Sequence, residues 1–153
     1  MTKYYYEQKE LSKEAMKREI DNAVAWEVAN FGEHRDLNAK ETARLEKEYF
    51  GYSGKVVSEY SIEYLEEILY SGKPIIVPSA GRKLGNPNFR GAGPEYHMLV
   101  LIGYDNDKST FITNDPGTRN GESYVYNQKI LLDAVSGPKE NMVKEILVLE
   151  PIQ

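Results

Sequence analysis

The stretch YHMLVLIGYD, residues 96–105, is the most apolar part of the sequence. Only His97 and Gly103 interrupt its run of large, mostly apolar side chains from Tyr96 to Tyr104. A short apolar run of this kind, without polar alternation, is typical of a strand that is buried on both faces of a sheet. The stretch therefore predicts a central β-strand, and the rest of the fold is interpreted around it.

The residues that follow predict a β-hairpin. Asp105 to Lys108 is a polar turn, and residues 109–114 form the returning strand. The hairpin brings His97, at the head of the first strand, towards Asp115, at the end of the second. With a three-residue loop or a bulge, the two residues lie directly opposite each other, with Cβ atoms about 5 Å apart. A four-residue loop puts the two side chains on opposite faces, and the sequence leaves this register open.

Another strand and a long loop precede the central strand. Residues 75–77 are apolar and lie between Pro74 and Pro78, where missing backbone donors do least harm to a strand. Residues 81–94 are rich in Gly, Pro and Asn and have no apolar periodicity, which predicts a long loop. Because such loops in compact domains are usually functional or mobile, this one is a candidate lid.

The N-terminal half predicts helices. Ser12 is a suitable N-cap, Gly32 is a suitable stop, and an amphipathic apolar stripe at i, i+4 spacing lies between them. The stripe consists of Met16, Ile20, Val24, Val28 and Phe31. A second helix begins after Asn38, which forms a capping-box pattern with Glu41. The remaining predicted elements are a helix end at Gly51, an extended stretch over 55–59, a helix over 61–69, a strand over 124–126, a helix over 129–135 and a strand over 143–149. The sequence thus predicts an α+β fold, with a helical N-terminal half followed by an antiparallel sheet.

Composition restricts the classes of function. The 153 residues, with 41% hydrophobic and 28% charged side chains, predict one folded domain over residues 1–153. The net charge of −5 is spread along the chain without a basic face, so we expect no nucleic-acid partner. The longest apolar run, residues 98–102, is too short to span a bilayer, and no signal peptide is recognisable, so we expect no membrane partner.

The sequence contains no cysteine, which excludes disulfides, zinc-thiolate sites and thiol catalysis by the chain as given. His34 and His97 lie far apart in sequence without a nearby ligand pattern, so we expect neither a metal nor a cofactor. His34, in a polar connection, is interpreted as a solvated loop residue.

His97 and Asp115 can be interpreted in two ways. An imidazole whose second nitrogen meets a carboxylate is a general base held in one tautomer. Pro116 restricts Asp115 to extended backbone angles, which suits an orienting residue. Spacing alone favours the simpler alternative, in which the histidine is a hydrogen-bonded core residue and Asp-Pro-Gly is ordinary turn chemistry.

A resemblance to a known family favours the functional interpretation. The family pattern is a Gly-x-Pro strand, a loop, a His leading a hydrophobic strand that ends Gly-Tyr-Asp, and then Asn-Asp-Pro. The sequence has GKPIIV at 72–77, YHMLVLIGYD at 96–105 and TNDPGT at 113–118. Residues 72–121 therefore resemble the C39-like cysteine peptidases, and the helical first half extends the likeness over most of the chain. The resemblance implies a papain-like fold, a peptide or protein substrate, and a hydrolase of the thiol-protease type.

The resemblance also implies a site. His97 and Asp115 are the candidate catalytic residues. The candidate substrate-binding residues are Tyr96, Asn114 and Ser79. Ser79 follows a strand and is the only hydroxyl that resembles a nucleophile elbow, but the elbow needs a helix after it, and residues 82–87 contain Gly85 and Pro87, which disfavour a helix.

The sequence departs from the family at the nucleophile. Family members carry a cysteine at the N-terminus of a central helix, with an oxyanion-hole Gln shortly before it, and neither can be assigned here. Met1, Tyr4 and Tyr5 have helical spacing without a cap before them, so we expect a helix that is entered partway along. An N-terminally truncated domain, inactive as given, is the expectation, and an upstream export signal would make it extracellular or bound to the cell envelope. The alternative is a pseudo-enzyme that binds a peptide or partner without catalysis, and the oligomeric state is not readable from the sequence.

Overall fold

The computed structural model describes residues 11–139 and 142–150. The helix predicted from Met1, Tyr4 and Tyr5 lies outside these residues. Five α-helices are present in the described ranges, together with a π-helix at Glu46–Phe50 and six strands. The α-helices are α1 Lys13–Phe31, α2 Ala39–Leu45, α3 Ile62–Tyr70, α4 Gly81–Leu84 and α5 Gln128–Ala134. The strands are β1 Ser53–Val57, β2 Ile75–Ser79, β3 His97–Asp105, β4 Thr110–Asn114, β5 Tyr124–Asn127 and β6 Ile146–Glu150.

The six strands form one antiparallel sheet in the order β1-β6-β2-β3-β4-β5. This arrangement confirms the predicted α+β fold, with helices in the N-terminal half. β3 lies between β2 and β4, so its predicted interior position in the sheet is correct. Only one face of β3 is completely buried, through Leu99 and Leu101, while Met98 and Val100 on the other face are half-buried. The strands that are buried on both faces are β2 and, over residues 146–149, β6.

The core lies mainly on one face of the sheet. There α3 and α5 contribute Leu65 and Leu131, which pack with side chains of β2, β3, β4 and β6. A smaller cluster on the other face contains Ile76, Leu147 and Leu149, with Ala43 of α2 against it. Burying about a dozen large aliphatic and aromatic side chains, each contributing about 1.5–3 kcal/mol, is the main favourable contribution to this arrangement.

The predicted caps are present. Ser12 accepts a hydrogen bond from the Ala15 amide, and Gly32 ends α1 with a left-handed φ of 86°. Asn38 and Glu41 form the complete capping box of α2. These local signals predict helix ends well because each one satisfies backbone groups that the helix leaves unpaired.

The stripe of α1 does not face the described core. Met16, Ile20 and Val28 are 50%, 57% and 47% exposed, whereas Glu27 is buried. Another side of α1 packs instead, because Trp26 contacts Tyr49 and the Arg44 guanidinium lies over the Trp26 ring. The helix was thus predicted correctly, but its apolar stripe does not mark the buried side of the described structure.

The prediction of a loop over 81–94 is wrong for its first residues, because α4 occupies Gly81–Leu84. The single helical turn ends at Gly85, whose φ is 62°. Gly81 is buried, and a Cβ on it would lie 2.7 Å from the Pro94 carbonyl oxygen, so the two ends of this segment meet closely. No helix within the described residues is both long and apolar enough to cross a membrane.

Candidate active site

His97 is the first residue of β3 and pairs with Ser79 of β2. Because side chains alternate along a strand, His97 lies on the same face as Leu99 and Leu101, which is the face of the main core. Its side chain is 9% exposed. The imidazole therefore lies at the end of the core.

The side chains of His97 and Asp115 meet. His97 Nε2 lies 2.7 Å from Asp115 Oδ1, and the Asp115 side chain is completely buried. This contact agrees with the hairpin prediction in bringing the two residues together on one face.

The register that produces this contact combines the four-residue loop of one predicted alternative with the bulge and the common face of the other. The hairpin has four residues, 106–109, between the paired residues Asp105 and Thr110, and a bulge at Ile102. Beyond the bulge Val100 pairs with Asn114, so Asp115 follows next to Leu99 and reaches His97 diagonally rather than from directly opposite. Without the extra residue of the bulge, the two side chains would lie on opposite faces.

Asp115 accepts hydrogen bonds at both carboxylate oxygens. Oδ1 is shared by His97 and the Gly117 amide, which lies 3.0 Å away. Oδ2 accepts from Tyr126 Oη at 2.6 Å and from Asn86 Nδ2 at 3.3 Å. Burial alone raises the pKa of this carboxyl, but the hydrogen bonds from His97, Tyr126 and Gly117 outweigh burial and hold the pKa below its ordinary value. Asp115 is therefore ionised at neutral pH.

Sequence reasoning missed Asn86 and Tyr126. Both are almost completely buried, and Asn86 Nδ2 also donates to Tyr126 Oη at 2.7 Å. Burial and then the hydrogen bond to Asp115 raise the pKa of Tyr126, so its hydroxyl stays protonated and donates. The usable signal was Tyr126 itself, since a tyrosine on the buried face of a strand normally needs a polar partner for its hydroxyl. No comparable signal marked Asn86 within its polar loop.

Glycines and one aromatic ring surround the imidazole. A Cβ on Gly117 would lie 2.6 Å from His97 Cε1, and a Cβ on Gly81 would lie 3.0 Å from His97 Cβ. The Phe89 ring packs edge-on, with centroids 5.1 Å apart. Nδ1 has no hydrogen-bond partner among the residues that the structure describes. The ring is thus held on several sides, with one nitrogen committed to Asp115.

The sequence matches the Peptidase C39 like family over residues 1–136, which is most of the chain. The chain belongs to this C39-like family. Its structure is also similar to the crystal structure of a C39-like peptidase from Bacillus anthracis, with a TM-score of 0.56 and 18% sequence identity. That likeness covers 80% of this chain and 64% of the other, so this C39-like chain spans less than two thirds of the length of its structural relative. No curated protein matches the sequence.

The three candidate substrate-binding residues of the C39-like chain do not contact the His97–Asp115 side-chain pair. Tyr96 Oη donates to the Leu37 carbonyl at 2.5 Å, and burial raises the pKa of this hydroxyl. Asn114 pairs with Val100 on the other face of the sheet and accepts from the Ser123 amide. The Tyr96 side chain thus bonds the connection between α1 and α2, and the Asn114 side chain bonds the connection between β4 and β5.

Ser79 is completely buried, and its hydroxyl donates to the His97 carbonyl at 3.1 Å. The hydroxyl thus supports the backbone at the start of β3 and has no exposed surface, and the role of Ser79 in substrate binding stays a prediction. The helix that a nucleophile elbow requires is represented only by the single turn α4, contrary to the prediction that none would form.

The other histidine is placed differently. His34 follows α1, and its side chain is 59% exposed, as expected for a loop residue. Its Nδ1 lies 2.6 Å from Glu27 Oε2. Within residues 11–139 and 142–150, no group of three or more His, Asp or Glu side chains is arranged to hold a metal ion.

The Tyr126→Phe substitution tests the support of Asp115. It removes a charge-assisted hydrogen bond from a buried carboxylate and leaves Asn86 without an acceptor at that position, so we expect the free energy of unfolding to fall by about 1.5–3 kcal/mol. Urea denaturation at pH 7 measures this loss. Tyr124→Phe is the matched control, because Tyr124 packs against Tyr126 in the same strand and should change stability by less than about 0.5 kcal/mol. Equal losses in the two variants would contradict a specific role for the Tyr126 hydroxyl.

Proposed function

We propose that this C39-like chain, as one domain over residues 1–153, carries the acid–base half of a cysteine-peptidase site. His97 would act as general base and then general acid, and Asp115 would orient it. The substrate would be a peptide or protein whose amide bond is cleaved. The observation that supports this proposal most strongly is the 2.7 Å contact between a nearly buried imidazole and a fully buried carboxylate, in a chain of this family.

The contact favours one tautomer of the imidazole. A carboxylate that is ionised at neutral pH accepts a hydrogen bond from Nε2–H, so Nδ1 of the neutral ring keeps its lone pair. Nδ1 is then the nitrogen that could take a proton from a thiol. The same carboxylate stabilises the imidazolium that forms, while Tyr126 and Asn86 keep the carboxylate in place.

In the proposed reaction a thiolate attacks the substrate carbonyl and forms an acyl-enzyme. His97 passes its proton to the leaving amine and then activates the water that releases the acid product. This reaction needs a sulfur atom, and the sequence has no cysteine. The 153-residue chain should therefore not hydrolyse peptides, and the nucleophile would have to come from residues outside the sequence.

A second candidate function is a non-catalytic module that binds a peptide or partner protein. The absence of cysteine favours it, because a His–Asp pair without a nucleophile has nothing to activate. In that case the hydrogen-bond network around Asp115 would serve stability alone.

The nucleotide sequence immediately upstream of Met1 distinguishes the two candidates. The peptidase proposal expects an in-frame upstream segment with a cysteine codon at the start of a helix-forming stretch. A stop codon directly before Met1 in the source gene would contradict the peptidase and support the binding module.

A further inference from the structure

Two loops lie beside the His97–Asp115 pair. The first, residues 81–96, begins with the single helical turn α4 and contacts the pair through Gly81 and Phe89. The second, residues 116–123, contacts it through the Gly117 amide and through the Gly121 carbonyl, which accepts from the Asp115 amide at 2.8 Å. Asn120 Nδ2 donates to Asn88 Oδ1 at 3.2 Å and so connects the two loops. The two loops therefore meet beside the candidate site.

Four cationic side chains lie on these loops. They are Arg82, Lys83, Arg90 and Arg119, which we call the cationic rim, and all four are exposed. Each is one or two residues away from Gly81, Phe89 or Gly117. Since consecutive Cα atoms are about 3.8 Å apart, each rim residue has its Cα within about 8 Å of a residue that contacts the pair. The rim is therefore close to the candidate site.

The charge of the two loops differs from that of the chain. They carry four Lys or Arg and two acidic residues, Glu95 and Glu122, whereas the whole sequence has 19 basic and 24 acidic residues. Arg82 pairs with Glu95 at 3.1 Å, but both side chains are more than half exposed, so the pair is weak. No side-chain ion pair to Lys83, Arg90 or Arg119 is present among the described residues. These two segments thus carry a net charge of +2, four basic minus two acidic residues, in a protein whose overall charge is −5.

We propose that the cationic rim selects an acidic peptide segment as the substrate or bound partner of this site. The inference rests on the proposed function, in either its catalytic or its binding form, because it takes the His97–Asp115 surface as the place where a peptide lies. The rim would attract peptides that carry Asp or Glu near the bound residues, and it would repel basic peptides. The overall charge of −5 argues against nucleic acid as the occupant, because a polyanion would meet repulsion outside the rim.

Fluorescence anisotropy with the 153-residue protein tests the rim directly. Two labelled peptides of about ten residues, identical except that Glu replaces Gln at about four positions, are compared at low and at physiological salt. We expect the Glu peptide to bind at least about tenfold more tightly at low salt and to lose most of this advantage as salt rises, since exposed charges are screened. Equal affinities for the two peptides at low salt would overturn the proposal.

The double variant Arg90→Gln/Arg119→Gln should weaken binding of the Glu peptide by about threefold to tenfold, because each exposed charge contributes modestly. The matched control is Lys47→Gln/Lys55→Gln. Both of these residues are exposed, and Lys55 lies in β1, at the sheet edge opposite β5. A loss of the same size in the control would overturn the proposal by showing a general charge effect. Tighter binding of a single-stranded oligonucleotide through Arg90 and Arg119 would overturn it in favour of a nucleic-acid partner.

Failure of this inference and failure of the proposed peptidase can be told apart. The binding test uses no cysteine, so preference for the acidic peptide can be present whether or not an upstream nucleophile exists. Peptidase activity without a preference for acidic peptides would agree with the catalytic proposal and would contradict only the role proposed for the cationic rim.

Discussion

Asp115→Ala is expected to lower the free energy of unfolding by about 3–5 kcal/mol at pH 7, a large part of the stability of an ordinary domain. The substitution removes a fully buried acceptor from four donors at once. His97, Tyr126 and Asn86 would keep their buried polar groups without that partner, and buried donors that are left unsatisfied are strongly destabilising.

Urea denaturation, followed by far-ultraviolet circular dichroism, measures this difference. Asp107→Ala is the control, because Asp107 is exposed in the β3–β4 turn and its removal should change stability by less than about 0.5 kcal/mol. Asp115→Asn separates shape from charge, since it keeps the size of the side chain and loses the ionic hydrogen bonds. A loss below about 1 kcal/mol in Asp115→Ala would show that the hydrogen bonds of Asp115 contribute little to stability. It would contradict the argument that Asp115 holds the His97 imidazole in place.

The pH dependence of the same measurement has a definite sign. Folding lowers the pKa of Asp115 from its ordinary value near 3.9, so its contribution to stability is present above that value and is lost as the pH falls through the lower, folded-state pKa. The difference between wild type and Asp115→Asn should therefore shrink as the pH falls below about 4. A difference that did not shrink between about pH 4 and pH 2 would contradict a lowered pKa of Asp115 in the folded protein.

The sequence predicted which residues meet but not how they meet. Turn residues and apolar runs identified the hairpin, because both are local properties of the chain. The register depends on the bulge at Ile102, which the sequence does not mark, since Ile is an ordinary strand residue there. A single extra residue decides the face on which Asp115 lies, so the geometry of the pair required the structure.

The residues that support Asp115 show a second limit. Asn86 and Tyr126 are 29 and 11 positions away from Asp115 in sequence and belong to different elements. Contacts of this kind depend on how the loop after α4 folds over the sheet, and the periodicity of the sequence does not predict the path of that loop. The apolar stripe of α1 shows a third limit. Its periodicity predicted the helix correctly, but the side of the helix that packs is the one that carries Trp26 and Glu27.

The largest functional effect is expected for His97. In a chain that is extended upstream to include the cysteine the peptidase proposal requires, a thiol-reactive peptide probe should label that cysteine rapidly near pH 6. An ordinary thiol has a pKa near 8.5 and is almost entirely protonated there, whereas a thiol beside an imidazolium can be largely thiolate. His97→Ala should therefore slow labelling by about a hundredfold.

His34→Ala is the matched control, because it removes the other histidine of the chain, which lies on the exposed side of the α1–α2 connection and bonds Glu27. Its labelling rate should equal that of wild type. The deficit of His97→Ala should shrink towards pH 9, where any accessible thiol ionises. A cooperative urea transition like that of wild type separates the loss of the imidazole from misfolding, which would abolish that transition. A cysteine that reacts at the rate of a free thiol whether or not His97 is present would contradict the peptidase and leave the binding module, since the imidazole held by Asp115 would then have no sulfur within reach.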